Sequence, residues 1–179
     1  MKYEIVALLD NNSDNYIHFV KTKLCKKYKL NKNSSSTYIH LETVHNPNVH
    51  TLDSVIHNVI KPYKKFKVKL DNDICIDNQN KSINLKIENK GYITRIARNI
   101  GETLSLHGIN ITDNPENLNL YIPLANTNNN RRNYYVRHNN FNSIPYFLIE
   151  NKIKIIGIEV WKTINDKKHL VQTYALRDY

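Results

Sequence analysis

The stretch Thr37-Tyr38-Ile39-His40-Leu41-Glu42 and a distant echo, Leu120-Tyr121-Ile122-Pro123-Leu124-Ala125-Asn126, constrain this chain more than any other feature. Each reads as a short strand, and side chains alternate across a strand. Ile39 and Leu41 therefore fall on one face of the first stretch, and Tyr38, His40 and Glu42 on the other. In the second, Tyr121, Pro123 and Ala125 share a face opposite Ile122 and Leu124. Each strand thus presents a pair at i and i+2, Tyr38/His40 and Tyr121/Pro123, to one side of a sheet.

The flanking pattern places these strands in a mixed fold. Residues 3 to 9 form a near-continuous apolar run, as a buried strand does. Ser13 is the expected cap of a helix whose inner stripe is Ile17, Val20, Leu24 and Tyr28. The motif strand spans Thr37 to Val44, and Asn46-Pro47-Asn48 is a turn. A second helix is expected from Thr51, with Leu52, Val55, Ile56 and Val59 inward, and Pro62 stops it. Strands follow over 66–76 and 82–89, joined by a turn over 77–81. In the second of these, Ile83, Leu85 and Ile87 face away from Ser82, Asn84, Lys86 and Glu88. Gly91 to Leu106 is the strongest helix, lined by Ile93, Ile96, Ile100 and Leu104, with Gly108 at its C-terminal cap. A short strand over 109–111 precedes the echo, 143–150 is read as a turn of helix, and strands over 152–163 and 169–176 close the chain as a hairpin. Strands mixed with helices and antiparallel hairpins mean an α+β fold, read as two four-stranded sheets packed about a cleft.

The paired strands resemble the motif strands of the 2H phosphoesterases, the RNA-ligase-like cyclic phosphodiesterases. That family carries two His-x-Thr/Ser motifs, one per lobe, facing each other across a cleft. Its flanks match here: hydrophobic-x-hydrophobic-Glu after the first motif and Leu-Ala-Asn-Thr-Asn after the second. Tyr38 and Tyr121 stand where the family has histidine, and His40 and Pro123 where it has threonine or serine. The resemblance implies one α+β domain over 1–179, with two pseudo-symmetric interleaved lobes, antiparallel sheets around a central cleft and helices outside. In the family one histidine accepts a proton and the other donates one as a phosphodiester breaks. Histidine, with an ordinary pKa of about 6.5, serves both roles near neutrality. Tyrosine, near 10, stays protonated and is a poor base, though it can still donate a hydrogen bond or stack on a base.

The expected ligand-binding set is Tyr38, His40 and Tyr121, with Asn84 and Lys86 from the polar strand face and Trp161 beside Glu159 as a wall. Arg95 at the start of the long helix is a candidate phosphate contact. Arg131, Arg132 and Tyr134 belong to a loop, 130–137, that interleaves arginine with tyrosine, the composition of a phosphate-and-base surface or a lid. No catalytic residue is expected at the degenerate positions Tyr38, His40, Tyr121 and Pro123. A formal charge of +10 favours a nucleotide or RNA partner. Against that, Lys, Asn, Ile and Tyr share AT-rich codons, and the lysines are spread along the chain. No metal-ligand spacing and no glycine-rich phosphate loop occurs, so no metal or cofactor is expected. Cys25 and Cys75 read as buried thiols. With no signal-peptide pattern and no apolar run of the roughly 20 residues a membrane helix needs, the expected setting is cytoplasmic. Three functions follow from these residues: a degenerate protein that binds and sequesters a nucleotide, cyclic oligonucleotide or short RNA; an active phosphodiesterase with altered residues; or an interaction module using the basic loop.

Overall fold

Along the described residues the elements run β1 (Lys2–Leu9), α1 (Asn11–Tyr28), β2 (Asn31–Lys32), β3 (Tyr38–His45), α2 (Val49–Ile60), β4 (Phe66–Asp77), β5 (Ser82–Ile87), α3 (Tyr92–Leu106), β6 (Asn110–Ile111), β7 (Tyr121–Asn126), β8 (Lys152–Ile164) and β9 (Lys167–Ala175). The computed structural model describes residues 1–32, 37–77, 82–88, 90–112, 120–126, 152–165 and 167–178, with backbone alone at 31, 32, 72, 73 and 77. Of the expected turn over 77–81, Asp77 is instead the last residue of β4 and 78–81 lie outside the described residues, as does the expected helical turn over 143–150.

Local chemistry sets the helix ends. Asp10, not Ser13, caps α1: its carboxylate accepts the Ser13 N–H at 3.0 Å. The Ser13 hydroxyl instead accepts the Lys154 N–H at 2.9 Å and ties α1 to β8. Lys29, in the left-handed region at φ 50, ends that helix by giving its N–H to the Cys25 carbonyl. Lys21 of α1 is buried and donates to the Thr37 hydroxyl at 3.3 Å, just ahead of β3. Burial draws the Lys21 pKa down, against the charges of Asp14 and Cys25. Asn48 accepts from the His50 and Thr51 N–H groups, so α2 starts at Val49 rather than Thr51. Gly108, at φ +70, follows α3 where a side chain would strain the turn, and donates to the Ser105 carbonyl at 2.9 Å.

The strands pair in the order β2-β7-β5-β4-β8-β1-β3-β6, with β9 on β8. Exchanging β1 with β5, β2 with β6, β3 with β7 and β4 with β8 reverses that order onto itself. The helices obey the same exchange, since α1 packs on β2 and β7 while α3 packs on β6 and β3. The fold is α+β, with two pseudo-symmetric halves and the helices outside. The two halves are not separate sheets, however. Ladder pairs such as Phe66 with Ile155 join them along β4 and β8, and His40 opposite Tyr121 joins β3 to β7.

One face of this network carries the helices and the main core. Ile5, Ile39, Ile83 and Ile122 from the strands and Ile17, Ile56, Ile96 and Ile100 from the helices are each 0% exposed. Burying one such side chain stabilises by roughly 1.5–3 kcal/mol. A separate small cluster of Val6, Tyr38 and Trp161 lies apart from that core. Cys25 is buried and Cys75 half-buried. Among the described residues no helix is long and apolar enough to cross a membrane.

Candidate functional site

Both motif strands carry a bulge at the same place. On β3, Val6 opposes His40 and Ile5 opposes Glu42, so Leu41 is skipped. On β7, Asn84 opposes Pro123 and Ile83 opposes Ala125, so Leu124 is skipped. A bulge shifts every later side chain by one face. Glu42 is therefore not beside Tyr38 and His40, as plain alternation predicts. It lies opposite core residue Ile5, 1% exposed, where its carboxylate accepts N–H groups from Thr43 at 2.8 Å and Thr112 at 3.3 Å. Ala125 likewise turns from the face of Tyr121 and Pro123 into the core.

Directly opposed residues in antiparallel strands share a face. Register then strings one row across six strands: Thr173 on β9, Glu159 on β8, Val6 on β1, His40 on β3, Tyr121 on β7 and Lys86 on β5. Within it the His40 and Tyr121 rings lie nearly parallel, 13° apart with centroids at 5.6 Å. Both are half-buried, while Lys86 is exposed. His40 Nε2 lies 2.9 Å from the Thr43 hydroxyl. One residue further along this face, Asn84 opposes Pro123 and is 1% exposed; its side-chain oxygen is buried with no hydrogen-bond donor among the described residues. Native proteins leave few such acceptors.

Tyr38 is placed differently from Tyr121. It is 7% exposed and packs edge-on against Trp161, with centroids 4.6 Å apart. Lys168 of β9 donates to its hydroxyl at 2.7 Å and to Glu4 at 2.5 Å, and its ammonium stands 4.6 Å from the Tyr38 ring centre and 5.0 Å from that of Trp161. Lys2 reaches Glu4 from its other side at 3.1 Å. Burial alone pulls Lys168 down, but the Tyr38 oxygen and the Glu4 carboxylate outweigh it and hold its pKa above the ordinary lysine value. Glu4 is opposed in the same way: burial raises its pKa, and Lys168 and Lys2 bring it below the usual carboxylate range. Trp161 gives its indole N–H to Glu159 at 2.7 Å, and Thr173 donates to the other oxygen of that carboxylate at 3.1 Å.

The overall fold is found in solved structures. TT0787 of Thermus thermophilus matches with a TM-score of 0.74 at 13% identity, covering 99% of each chain. Escherichia coli LigT complexed with ATP matches at 0.66 and 10% identity, over 99% of this chain and 98% of that one. Usb1 of Kluyveromyces marxianus matches at 0.53 and 10% identity, over 98% and 97%. The fold is that of the 2H phosphoesterases. No family model matches the sequence, and no curated protein does.

Within the 2H fold the two tyrosines do not face each other as equals. His40, not Tyr38, stands across from Tyr121, and Tyr38 is withdrawn among Val6, Trp161 and Lys168. Tyr38, His40, Tyr121, Pro123, Asn84, Lys86 and Trp161 come together on one face. Arg95 does not join them: it is exposed on α3, whose buried Ile93 and Ile96 turn it outward. Arg131, Arg132 and Tyr134 lie outside the described residues. Sequence reasoning missed Lys168, Glu4 and Thr43. A buried-strand carboxylate just ahead of the apolar run of β1 is the one signal that pointed to Glu4. Nothing local to β9 points to Lys168, whose partners lie 130 and 164 residues away.

Proposed function

We propose that the chain binds a nucleotide, cyclic oligonucleotide or short RNA between β3 and β7 and does not hydrolyse it. The observation that carries this reading is the near-parallel His40–Tyr121 pair in register with Lys86, two flat rings beside a cation. A base stacked on an aromatic ring gains roughly 1–3 kcal/mol, and Lys86 supplies charge for a phosphate. Structures of LigT have been obtained with ATP, NADP+ and 3′-AMP, which makes adenine nucleotides the first ligands to try. In this reading Tyr38 and Tyr121 occupy the positions of the family's histidines. Tyr38 then brings a phenol already engaged by Lys168 and packed on Trp161, and a phenol is a poor general base. General acid–base help is typically worth about 10²–10⁴-fold per group, so losing both groups leaves binding without turnover.

A thermal-shift screen with ATP, 3′-AMP and cyclic di- and trinucleotides tests the reading. A ligand at 100 times its dissociation constant stabilises by about 2.7 kcal/mol, a shift of roughly 5–11 °C at this chain length. No shift with any of them, at millimolar concentration, contradicts it. A second reading rests on the Thr43 hydroxyl beside His40 Nε2, which orients an imidazole in the cleft. There His40 is a base, and slow phosphodiester hydrolysis disappears in His40→Ala while Thr43→Val reduces it; turnover unchanged in His40→Ala excludes that chemistry.

A further inference from the structure

On β4 and β8 the register sets lysine against lysine twice. Lys67 opposes Lys154 and Lys69 opposes Lys152. Their neighbours Phe66, Val68, Leu70, Ile153 and Ile155 are all buried in the helix-side core, so the four lysines share the opposite face. That is the face of Lys86, since Ile87, opposed to Leu70, is also in the core. Like charges directly across a ladder destabilise a sheet, because the side chains start only about 4.5–5.5 Å apart. Carboxylates offset this incompletely. Glu88 lies 3.5 Å from Lys69 and is shared with Lys90 at 3.0 Å. Asp178 is ion-paired to Lys65 at 2.6 Å, and Lys154 contributes only its more distant charge to that carboxylate. Among the described residues no carboxylate forms an ion pair with Lys67, Lys152 or Lys154. All four side chains are exposed or half-buried.

A dispersed basic surface does not require two lysine pairs in one register. We propose that this quartet is a track for the phosphodiester backbone of a single-stranded nucleic acid whose base lies at the His40–Tyr121 pair. The proposal rests on the nucleotide-binding reading above and assigns the path that the backbone of a longer ligand takes. Residues at i and i+2 of one strand lie about 6.7 Å apart, so Lys67 with Lys69, and Lys154 with Lys152, step along β4 and β8 at a spacing comparable to neighbouring phosphates. Lys86 on β5, next to β4, connects the track to the stacking rings.

Counterion release gives the test. For single strands the logarithm of affinity falls with the logarithm of salt concentration at a slope of about −0.7 per neutralised phosphate. Four lysine contacts predict a contribution near −2.8, and Lys67→Gln with Lys154→Gln removes about 1.4 of it. The experiment measures fluorescence anisotropy of labelled oligoadenylates of two, four and eight nucleotides, as RNA and as DNA, from 50 to 300 mM salt. AMP and ATP binding are followed in parallel. The expected result is tighter binding with length, a slope reduced in Lys67→Gln/Lys154→Gln, unchanged mononucleotide binding, and a melting temperature unchanged or raised as the like-charge pair goes. Control changes on α1 and just past the end of α2, Lys26→Gln with Lys61→Gln, leave the slope alone. Oligomers that bind no tighter than AMP, or a slope the Lys67/Lys154 variant does not alter, overturn the track while leaving the nucleotide site standing. Length-dependent, quartet-dependent binding without any mononucleotide binding keeps the track and removes the nucleotide reading. No binding by any of these ligands overturns both.

Discussion

Lys168→Met is the sharpest probe of how the face around Tyr38 is held together. The change keeps most of the aliphatic stem but deletes the ammonium that binds Glu4 and the Tyr38 hydroxyl. Removing one partner of a fully buried charge pair costs about 3–5 kcal/mol, and of a surface pair about 0–1 kcal/mol. Glu4 is 10% exposed at its side chain and Lys168 35%, and Lys2 stays 3.1 Å from the carboxylate. The expected loss lies between the two limits, about 2 kcal/mol, or roughly 4–8 °C in melting temperature for a chain of this size. The pH dependence has a defined sign. Glu4 has its folded pKa below the ordinary 4.5, so its contribution is present above that value and is lost as pH falls through the folded pKa. Lys168 is raised above 10.5, so its contribution is present below that value and is lost as pH rises beyond it. Wild type and variant should thus differ by a constant amount between about pH 5 and 10 and converge on acidification, as pH falls through the folded Glu4 pKa. Circular dichroism melts across that range supply the measurement, with Glu4→Gln/Lys168→Met recovering part of the loss. A melting temperature within 1 °C of wild type at pH 7, or a deficit that shows no decrease at all on acidification, refutes the reasoning.

Other perturbations separate ligand contacts from packing. Tyr121→Ala should weaken nucleotide binding by roughly 1–3 kcal/mol, about 5- to 150-fold by isothermal titration, with little change in melting temperature because the ring is half-exposed. Tyr174 is held well above the ordinary tyrosine pKa, by burial first and then by its bond to Asp53 at 2.6 Å. Tyr174→Phe should cost about 1.5–3 kcal/mol in chemical denaturation, since the phenol donates to a carboxylate. Gly157→Ala would place its Cβ 2.8 Å from the Tyr174 carbonyl oxygen on β9, a backbone atom that cannot swing aside; a loss of about 1–3 kcal/mol is expected, and an unchanged melt argues that β9 does not hug β8 as described.

Much of the architecture was legible because apolar periodicity is a local signal. Ile93, Ile96, Ile100 and Leu104 mark α3 without help from the rest of the chain, and all four are fully buried. The alternation of 82–87 likewise gives β5 its two faces. Helix starts were missed by a few residues because a cap is chosen by geometry among several competent side chains: Asp10 was available one turn ahead of Ser13, and Asn48 ahead of Thr51. The twin bulges at Leu41 and Leu124 were illegible, since a bulge is a property of a strand and its partner together. They moved Glu42 and Ala125 off the face that alternation assigns them. Pairwise geometry also hid the engagement of Tyr38 by Lys168 and the opposition of Lys67 to Lys154, each set by register between segments distant in sequence. The site's central pair was half-read: Tyr121 was expected across from Tyr38, and one step of antiparallel register puts His40 there instead.

Binding without turnover is tested most directly by recovering the ligand. The protein is loaded with a 2′,3′-cyclic adenine nucleotide or a cyclic trinucleotide, passed through a desalting column, denatured, and the released material identified by chromatography with mass detection. The account predicts retention near one ligand per chain, chemically intact after hours at pH 7, and lost in Tyr121→Ala. Release of the ring-opened or cleaved product by wild type, or no retained ligand at all, would contradict it.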